Sequence, residues 1–194
     1  MSYYLKRLLA GYNILHIVTL MERATDNNLS VEELSPVDIE TLLKEKGYYD
    51  DEIHDLLQKD ILFLSSYDKF DIHENAELIT PETVEIEKLL SNKVATLKIN
   101  FPLDKKGHRY AELLHTEIYI GVIYFLNSTA WDISKGIISS WLNDKSLGFK
   151  NQSKTLKAVV EIQIKDIKKQ RTYHFKYTGP ADKVAEIIKN IEIK

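Results

Sequence analysis

The sequence predicts an α+β fold in two parts: a helical, acidic domain over residues 1–92 and a basic α+β domain over residues 93–194. Three observations carry this expectation. Apolar residues recur at helical spacing through most of the first part. The second part reads in the order β-α-α-β-β-α, which describes a small antiparallel sheet of about three strands packed with helices. Charge changes sign between the parts. Residues 1–90 hold 8 Lys+Arg against 19 Asp+Glu, a net −11; residues 91–194 hold 18 against 10, a net +8. The overall net charge of −3 conceals this separation.

Residues 3–24 read as a helix with Leu5, Leu8, Leu9, Tyr12 and Leu15 on one stripe and Ile14, Val18 and Met21 widening it. His16, among these apolar residues, reads as a hydrogen-bonded core histidine. Thr25 to Asn28 breaks the pattern, and Leu29 and Val31 suit a short strand. A second helix follows, with Ser35 at N-cap, Pro36 at N1 and Asp38 at N3. Ile39, Leu42 and Leu43 form its stripe, and Gly47 stops it. Ile53, Leu56 and Leu57 mark a third helix, capped by Asp50 or Asp51. Ile61 to Leu64 is a short apolar run. Ser65 to Asp68 has turn chemistry, and Phe70 and Ile72 alternate with polar neighbours, so the two runs suit a hairpin. Thr80-Pro81-Glu82 opens another helix ending near Ser91-Asn92.

In the second part Ala95, Leu97, Ile99 and Phe101 alternate as a strand. From His108 a helix of about five turns is expected, with Tyr110, Leu113, Leu114, Ile118, Gly121, Val122 and Phe125 on one stripe. Its later part is apolar nearly all round, which marks a central core helix or an oligomer surface. Another helix runs to about Asn143, and Lys145 to Ser153 reads as a loop. Leu156 to Lys165 is the strongest strand signal. A hairpin loop over residues 166–170 returns Tyr173, Phe175 and Tyr177 on a partner strand. Gly179-Pro180 starts the last helix.

Helix, helix, strand, turn and strand over residues 10–80 resemble the outline of a winged helix-turn-helix, with residues 51–59 in the place of the recognition helix. Its outward residues would be Asp51, Glu52, His54, Asp55, Gln58 and Lys59. Phosphate contacts supply most DNA affinity, and a surface this acidic repels phosphate. Asp51, Glu52, Asp55 and Gln58 are therefore read as a protein-docking face. The outline also resembles the small winged-helix subunits that bridge bacterial ATPase machines of the chromosome-maintenance and defence type. That resemblance implies a non-enzymatic adaptor in a multiprotein assembly. A winged-helix transcription regulator is the alternative, and the helix start Asp50-Asp51-Glu52 counts against it.

Composition bounds the chemistry. The absence of cysteine excludes disulfides, thiolate catalysis and cysteine-bound metals. The opening Met-Ser-Tyr-Tyr-Leu-Lys-Arg lacks a signal-peptide core, and the longest apolar run, nine residues from Ile118 to Leu126, is too short for a membrane span. A cytoplasmic protein without membrane contact is expected. Phosphate-binding glycine loops and hydrolase motifs are missing, and no cofactor is expected. His108, Glu112, His115 and Tyr119 would share a face of the long helix. Glu112-x-x-His115 matches half of a carboxylate-bridged metal motif, which makes a metal-dependent enzyme the second alternative. No second half exists, so a solvated polar stripe is the plainer reading. Lys150, Lys154 and Lys157 around one loop, and Lys168, Lys169 and Arg171 at the hairpin, form a candidate phosphate-binding surface for nucleic acid. The opposed charges of the two parts also allow an oligomer.

Overall fold

The computed structural model describes residues 30–36, 38–64, 77–103, 108–110, 117–149, 156–168 and 170–192. Within them the strands are β1 (Ser30–Glu33), β2 (Ile61–Leu64), β3 (Glu77–Ile79), β4 (Ile99–Asn100), β5 (His108–Tyr110), β6 (Glu117–Phe125), β7 (Lys157–Asp166) and β8 (Arg171–Pro180). The helices are α1 (Ile39–Glu45), α2 (Asp50–Leu57), α3 (Pro81–Lys93), α4 (Ser128–Phe149) and α5 (Ala181–Asn190). Six strands form one mixed sheet in the order β1-β8-β7-β6-β2-β4, and β3 and β5 form a separate parallel pair. Within the six, β6 with β7 and β2 with β4 are parallel, and the other neighbours are antiparallel. Parallel neighbours need a long crossover. Helix α4 supplies it between β6 and β7, and the segment containing α3 supplies it between β2 and β4.

The fold is α+β, but its sheet is twice as wide as the expected three strands and is mixed. The source of the difference is residues 108–126. The expected five-turn helix is absent: His108–Tyr110 and Glu117–Phe125 are strands. Ile118 to Leu126 is buried throughout. A strand covered on both faces has no polar alternation to reveal its period, and an all-apolar run satisfies a helical stripe by default. Its composition is the discriminating signal: Ile118, Tyr119, Ile120, Val122, Ile123, Tyr124 and Phe125 are all β-branched or aromatic.

Two smaller expectations change. The strand expected over residues 95–101 shrinks to Ile99–Asn100, because Leu97 N–H turns back to the Val94 carbonyl at 3.0 Å. The loop expected from Lys145 is instead the last turn of α4. There Glu85 of α3 accepts from Lys145 Nζ at 2.6 Å and Trp141 Nε1 at 3.0 Å, holding the two helices together. Ser91-Asn92, the expected domain boundary, lies in the final turn of α3. Strands from before it pair with strands from after it: β1 with β8, and β2 with β6 and β4. Ile61–Leu64, the expected first strand of the wing, is therefore an interior strand of the sheet. The turn and second wing strand near Phe70 and Ile72, and the helix over residues 3–24, lie outside the described residues.

Alternation sorts the sheet into two faces. Ile61, Phe63, Ile123, Phe125, Val160, Ile162, Ile164, Phe175 and Tyr177 face α3, α4 and α5. Phe125 meets Trp131 of α4 edge-on at 5.2 Å. Leu62, Leu64, Val122 and Tyr124 face α1 and α2, which contribute Ile39, Leu43, Ile53 and Leu56. Asp60 fixes one end of the sheet. Its carboxylate accepts from Lys98 N–H at 2.8 Å and Asn127 Nδ2 at 2.9 Å, and its carbonyl accepts from Leu126 N–H at 2.9 Å. Asn127 Oδ1 in turn accepts from Ala130 N–H at 2.8 Å, capping α4.

Register in β6 shifts between Ile120 and Val122 where it pairs with β7. On its other edge β2 reaches only Val122, leaving Tyr119 and Gly121 without a ladder partner there. Two buried threonines of the α3 N-terminus fill the gap. Thr80 Oγ1 donates to the Tyr119 carbonyl at 2.6 Å, so its single proton is committed. The 2.8 Å contact between the hydroxyls is therefore donated by Thr83, and Gly121 N–H donates to Thr83 Oγ1 at 3.4 Å. The hydrogen bonds run one way, from Gly121 through Thr83 and Thr80 to Tyr119. Replacing Thr80 with Val leaves a buried carbonyl and a buried hydroxyl unsatisfied, a cost of about 1–3 kcal/mol. Thermal melting should show Tm lowered by about 2–4 °C for each kcal/mol in a chain of this size, with Thr80→Ser close to wild type. An unchanged Tm in Thr80→Val would remove the relay from the account of this fold.

Candidate functional site

The expected docking face lies on α2, whose position follows from its own sequence. Ile53 and Leu56 are buried toward the sheet. Asp51, His54, Asp55 and Gln58 follow at i, i+3, i+4 and i+7, and all are exposed. Asp51, Asp55 and Gln58 of the expected set thus share the outward stripe. Glu52 serves its own helix instead, since its carboxylate accepts from Tyr49 N–H at 2.9 Å and closes the helix start. Asp50 pairs with Lys44 at 3.1 Å. Three acids in the first turn also suit the positive end of the helix dipole. Asp51 and Asp55 make no side-chain hydrogen bond or ion pair among the described residues. At the N-cap of the same helix Tyr49 is 74% exposed.

The expected basic surface is divided. Lys150, Lys154 and Lys169 lie outside the described residues. Lys157 starts β7, whereas Lys168 and Arg171 lie beyond its other end. Ten residues of strand separate them, a span of about 30 Å, so they do not form one patch. What the structure assembles is the tip of the β7–β8 hairpin. Lys165, Lys168 and Arg171 are exposed there, and between them Ile167 is 61% exposed. Lys168 N–H donates to Asp166 Oδ1 at 3.1 Å, and Gln170 takes φ of 52° to close the turn.

Sequence reading missed a buried polar network on the α1 side of the sheet. Glu161 and Gln163 of β7 are paired with Lys176 and His174 of β8. Ser35 carbonyl oxygen lies 2.9 Å from His174 Nδ1. A carbonyl only accepts, so Nδ1 carries the proton. His174 Nε2 then faces Glu161 Oε2 at 3.6 Å, and Lys176 Nζ lies 3.6 Å from Glu161 Oε1. At that length neither is a hydrogen bond; the Lys176 contact is a charge attraction, and the His174 contact is one only when the ring is protonated. Burial pushes the Glu161 carboxyl upward, but His174 and Lys176 outweigh it and hold the group below its ordinary range. Tyr124, across from Gln163 and hydrogen-bonded to it, is pushed up by burial. Leu34 N–H also donates to the His174 carbonyl at 2.8 Å, so the network fastens the β1–α1 connection to the sheet. Alternation in β7 sets Glu161 and Gln163 on the face opposite Val160 and Ile162, and the sequence reading gave them no role. The usable signal was the hairpin register, which sets Glu161 opposite Lys176.

The helix face proposed to carry His108, Glu112, His115 and Tyr119 does not form: His108 is in β5 and Tyr119 in β6. Glu112 and His115 lie outside the described residues. Among the described residues no group of three His, Asp or Glu side chains could hold a metal ion, and no helix is long and apolar enough to cross a membrane. The expected cap of α1 also moves: Asp38, not Ser35, accepts from Glu40 and Thr41 N–H at 3.2 and 3.5 Å. Its carboxyl is lowered chiefly by the Thr41 hydroxyl. No family model, curated protein or solved structure matches the chain.

Glu161 makes stability pH-dependent. Its folded value lies below the ordinary one, so its contribution is fully present above the unfolded value of about 4.3. That contribution is lost as pH falls through the folded value. Glu161→Gln should be less stable at neutral pH, by about 1–3 kcal/mol for the partners left buried. It should also lose part of the wild-type decline in stability below about pH 5. Denaturant titrations across that range read both. Parallel stability–pH curves for the two proteins would show that Glu161 carries no such linkage.

Proposed function

We propose that the protein is a non-enzymatic adaptor subunit of a cytoplasmic multiprotein assembly, docking a protein partner through the outward stripe of α2. The observation that carries this reading is the division of labour among the acids there. Asp50 and Glu52 serve the chain itself, through Lys44 and the Tyr49 amide. Asp51 and Asp55 have no partner within the described residues, and Tyr49 at the start of the same helix is exposed. Tyr is among the residues that dominate binding energy at protein interfaces, and surrounding charges set approach and orientation more than affinity. The partner surface that fits is basic, with an apolar side chain to meet Tyr49. The resemblance of residues 10–80 in sequence to a winged helix is the reason to seek that partner in a bacterial ATPase machine acting on DNA or in defence, although β2 is an interior strand of the sheet and not a wing.

The test is a tagged pull-down of the full chain from its native host, with mass spectrometry and the absorbance ratio of the eluate. Wild type should bring down a protein partner in stoichiometric amount. Tyr49→Ala should weaken the purified complex about tenfold or more, since a hot-spot truncation costs above about 1.4 kcal/mol. Asp55→Lys should weaken it too, mainly in the association rate. A complex indifferent to both changes would move docking away from α2. A nucleic-acid-rich eluate without protein would favour the regulator instead.

A further inference from the structure

The neutral and protonated forms of the His174 ring meet opposite surroundings at one nitrogen. We infer that His174 is the pH-sensitive element of a latch on the β1–α1 connection, closed when the ring is protonated and loosened when it is neutral.

Nδ1 keeps its proton in either form, because it lies 2.9 Å from the Ser35 carbonyl oxygen, which only accepts. What changes is Nε2. It is buried, has no hydrogen-bond partner among the described residues, and lies 3.6 Å from Glu161 Oε2. In the neutral ring Nε2 carries only a lone pair, so two acceptors face each other away from water. In the protonated ring Nε2 is a donor with a carboxylate in front of it. Closing that gap to a charge-assisted hydrogen bond of about 2.8 Å takes less than about an ångström. Lys176 Nζ, 3.6 Å from the other oxygen of Glu161, helps hold the carboxyl below its ordinary range. The carboxylate is therefore present wherever histidines change charge.

Cross-strand partners share a face of the sheet. One row on this face is Tyr124, Gln163 and His174; the next is Val122, Glu161, Lys176 and Glu32. Lys165 follows Gln163 along β7, and Asp38 at the start of α1 is near enough to Tyr124 to act on its titration. Glu32 and Lys165 are exposed, so water screens them. Burial raises Tyr124, which stays neutral near pH 7, and hydrogen bonds lower Asp38, which stays charged. Of the side-chain types gathered here among the described residues, only imidazole ordinarily changes charge between about pH 5 and 8. The protonated ring gains a partner that the opened chain lacks. Its contribution is therefore present at the acid end of that interval and is lost as pH rises through it. The loss falls just after β1, where Leu34 N–H donates to the His174 carbonyl at 2.8 Å. Release of β1 uncovers the edge of β8 from Phe175 to Thr178.

Amide hydrogen exchange of the full chain, followed by NMR between about pH 5.5 and 7.5, tests this. After correction for the intrinsic rise of exchange with pH, protection of the Leu34 amide should fall about three- to tenfold across the interval. One linked proton allows at most about tenfold per pH unit. The nitrogen-15 signal of His174 Nε2 should report loss of its proton over the same interval. His174→Gln cannot titrate, and Glu161→Gln removes the carboxylate, so each should flatten the profile. Constant Leu34 protection in wild type overturns the proposal. So does a fall that persists in either variant, or one at a pH where Nε2 does not titrate. This last comparison needs wild type alone and decides the matter even where a variant does not fold. Docking by α2 is untouched by any of these outcomes and rests on the pull-down.

Discussion

Strand β6 must be covered on both faces and paired along both edges, and the neighbouring elements are placed to do this. Its residues from Ile118 to Leu126 are buried, so water satisfies little of its backbone. An unpaired amide or carbonyl in such a place costs about 1–3 kcal/mol. β7 runs along one edge for its whole length. β2 covers the other from Val122 to Phe125, and the Thr80–Thr83 relay takes over where β2 ends. Helices from both parts of the sequence close the faces: α4 follows β6 directly, and α1 and α2 come from the acidic part. The separation of charge along the sequence is thus not a separation in space.

Much of this was legible. Helices α2, α3 and α5 follow their stripes, although α2 is capped at Tyr49 and not at Asp50 or Asp51, Gly47 sits at positive φ after α1 as its position demands, and the β7–β8 hairpin follows from strict alternation. What failed has one physical origin. Periodicity reports a boundary between apolar and wet, and β6 has no such boundary. Read by composition, the β-branched and aromatic run from Ile118 to Phe125 favours a strand. Once it is a strand, the metal face drawn through His108, Glu112 and His115 loses its basis, since that face existed only on a helix. The candidate docking residues fared differently because α2 is amphipathic. Asp51, Asp55 and Gln58 were placed outward by the same stripe that placed Ile53 and Leu56 inward. The Glu161–His174–Lys176 network went unread because strand alternation alone does not say that the polar face is covered as well.

That network also shows how the edge of the sheet is held. β1 pairs with β8 through four residues, too short a strand to be secure by itself. The bond from His174 to the Ser35 carbonyl, with Glu161 behind the ring, fastens the chain just after β1. A buried charge group of this kind adds little net stability over an apolar replacement. Its contribution is placement: it sets the position from which α1 starts.

The pairing of β1 with β8 has a consequence for synthesis. Ser30 meets Thr178 and Glu33 meets Phe175, so β1 is made long before its partner strand. At about 5–20 residues per second, the nascent chain carries β1 for on the order of ten seconds before β8 leaves the ribosome. During that wait β1 is an open edge, the kind that recruits strands from neighbouring chains. Glu32 and Glu33, half of its four residues, make it a poor template for such recruitment. The charge that looks idle in the finished protein guards the unfinished one.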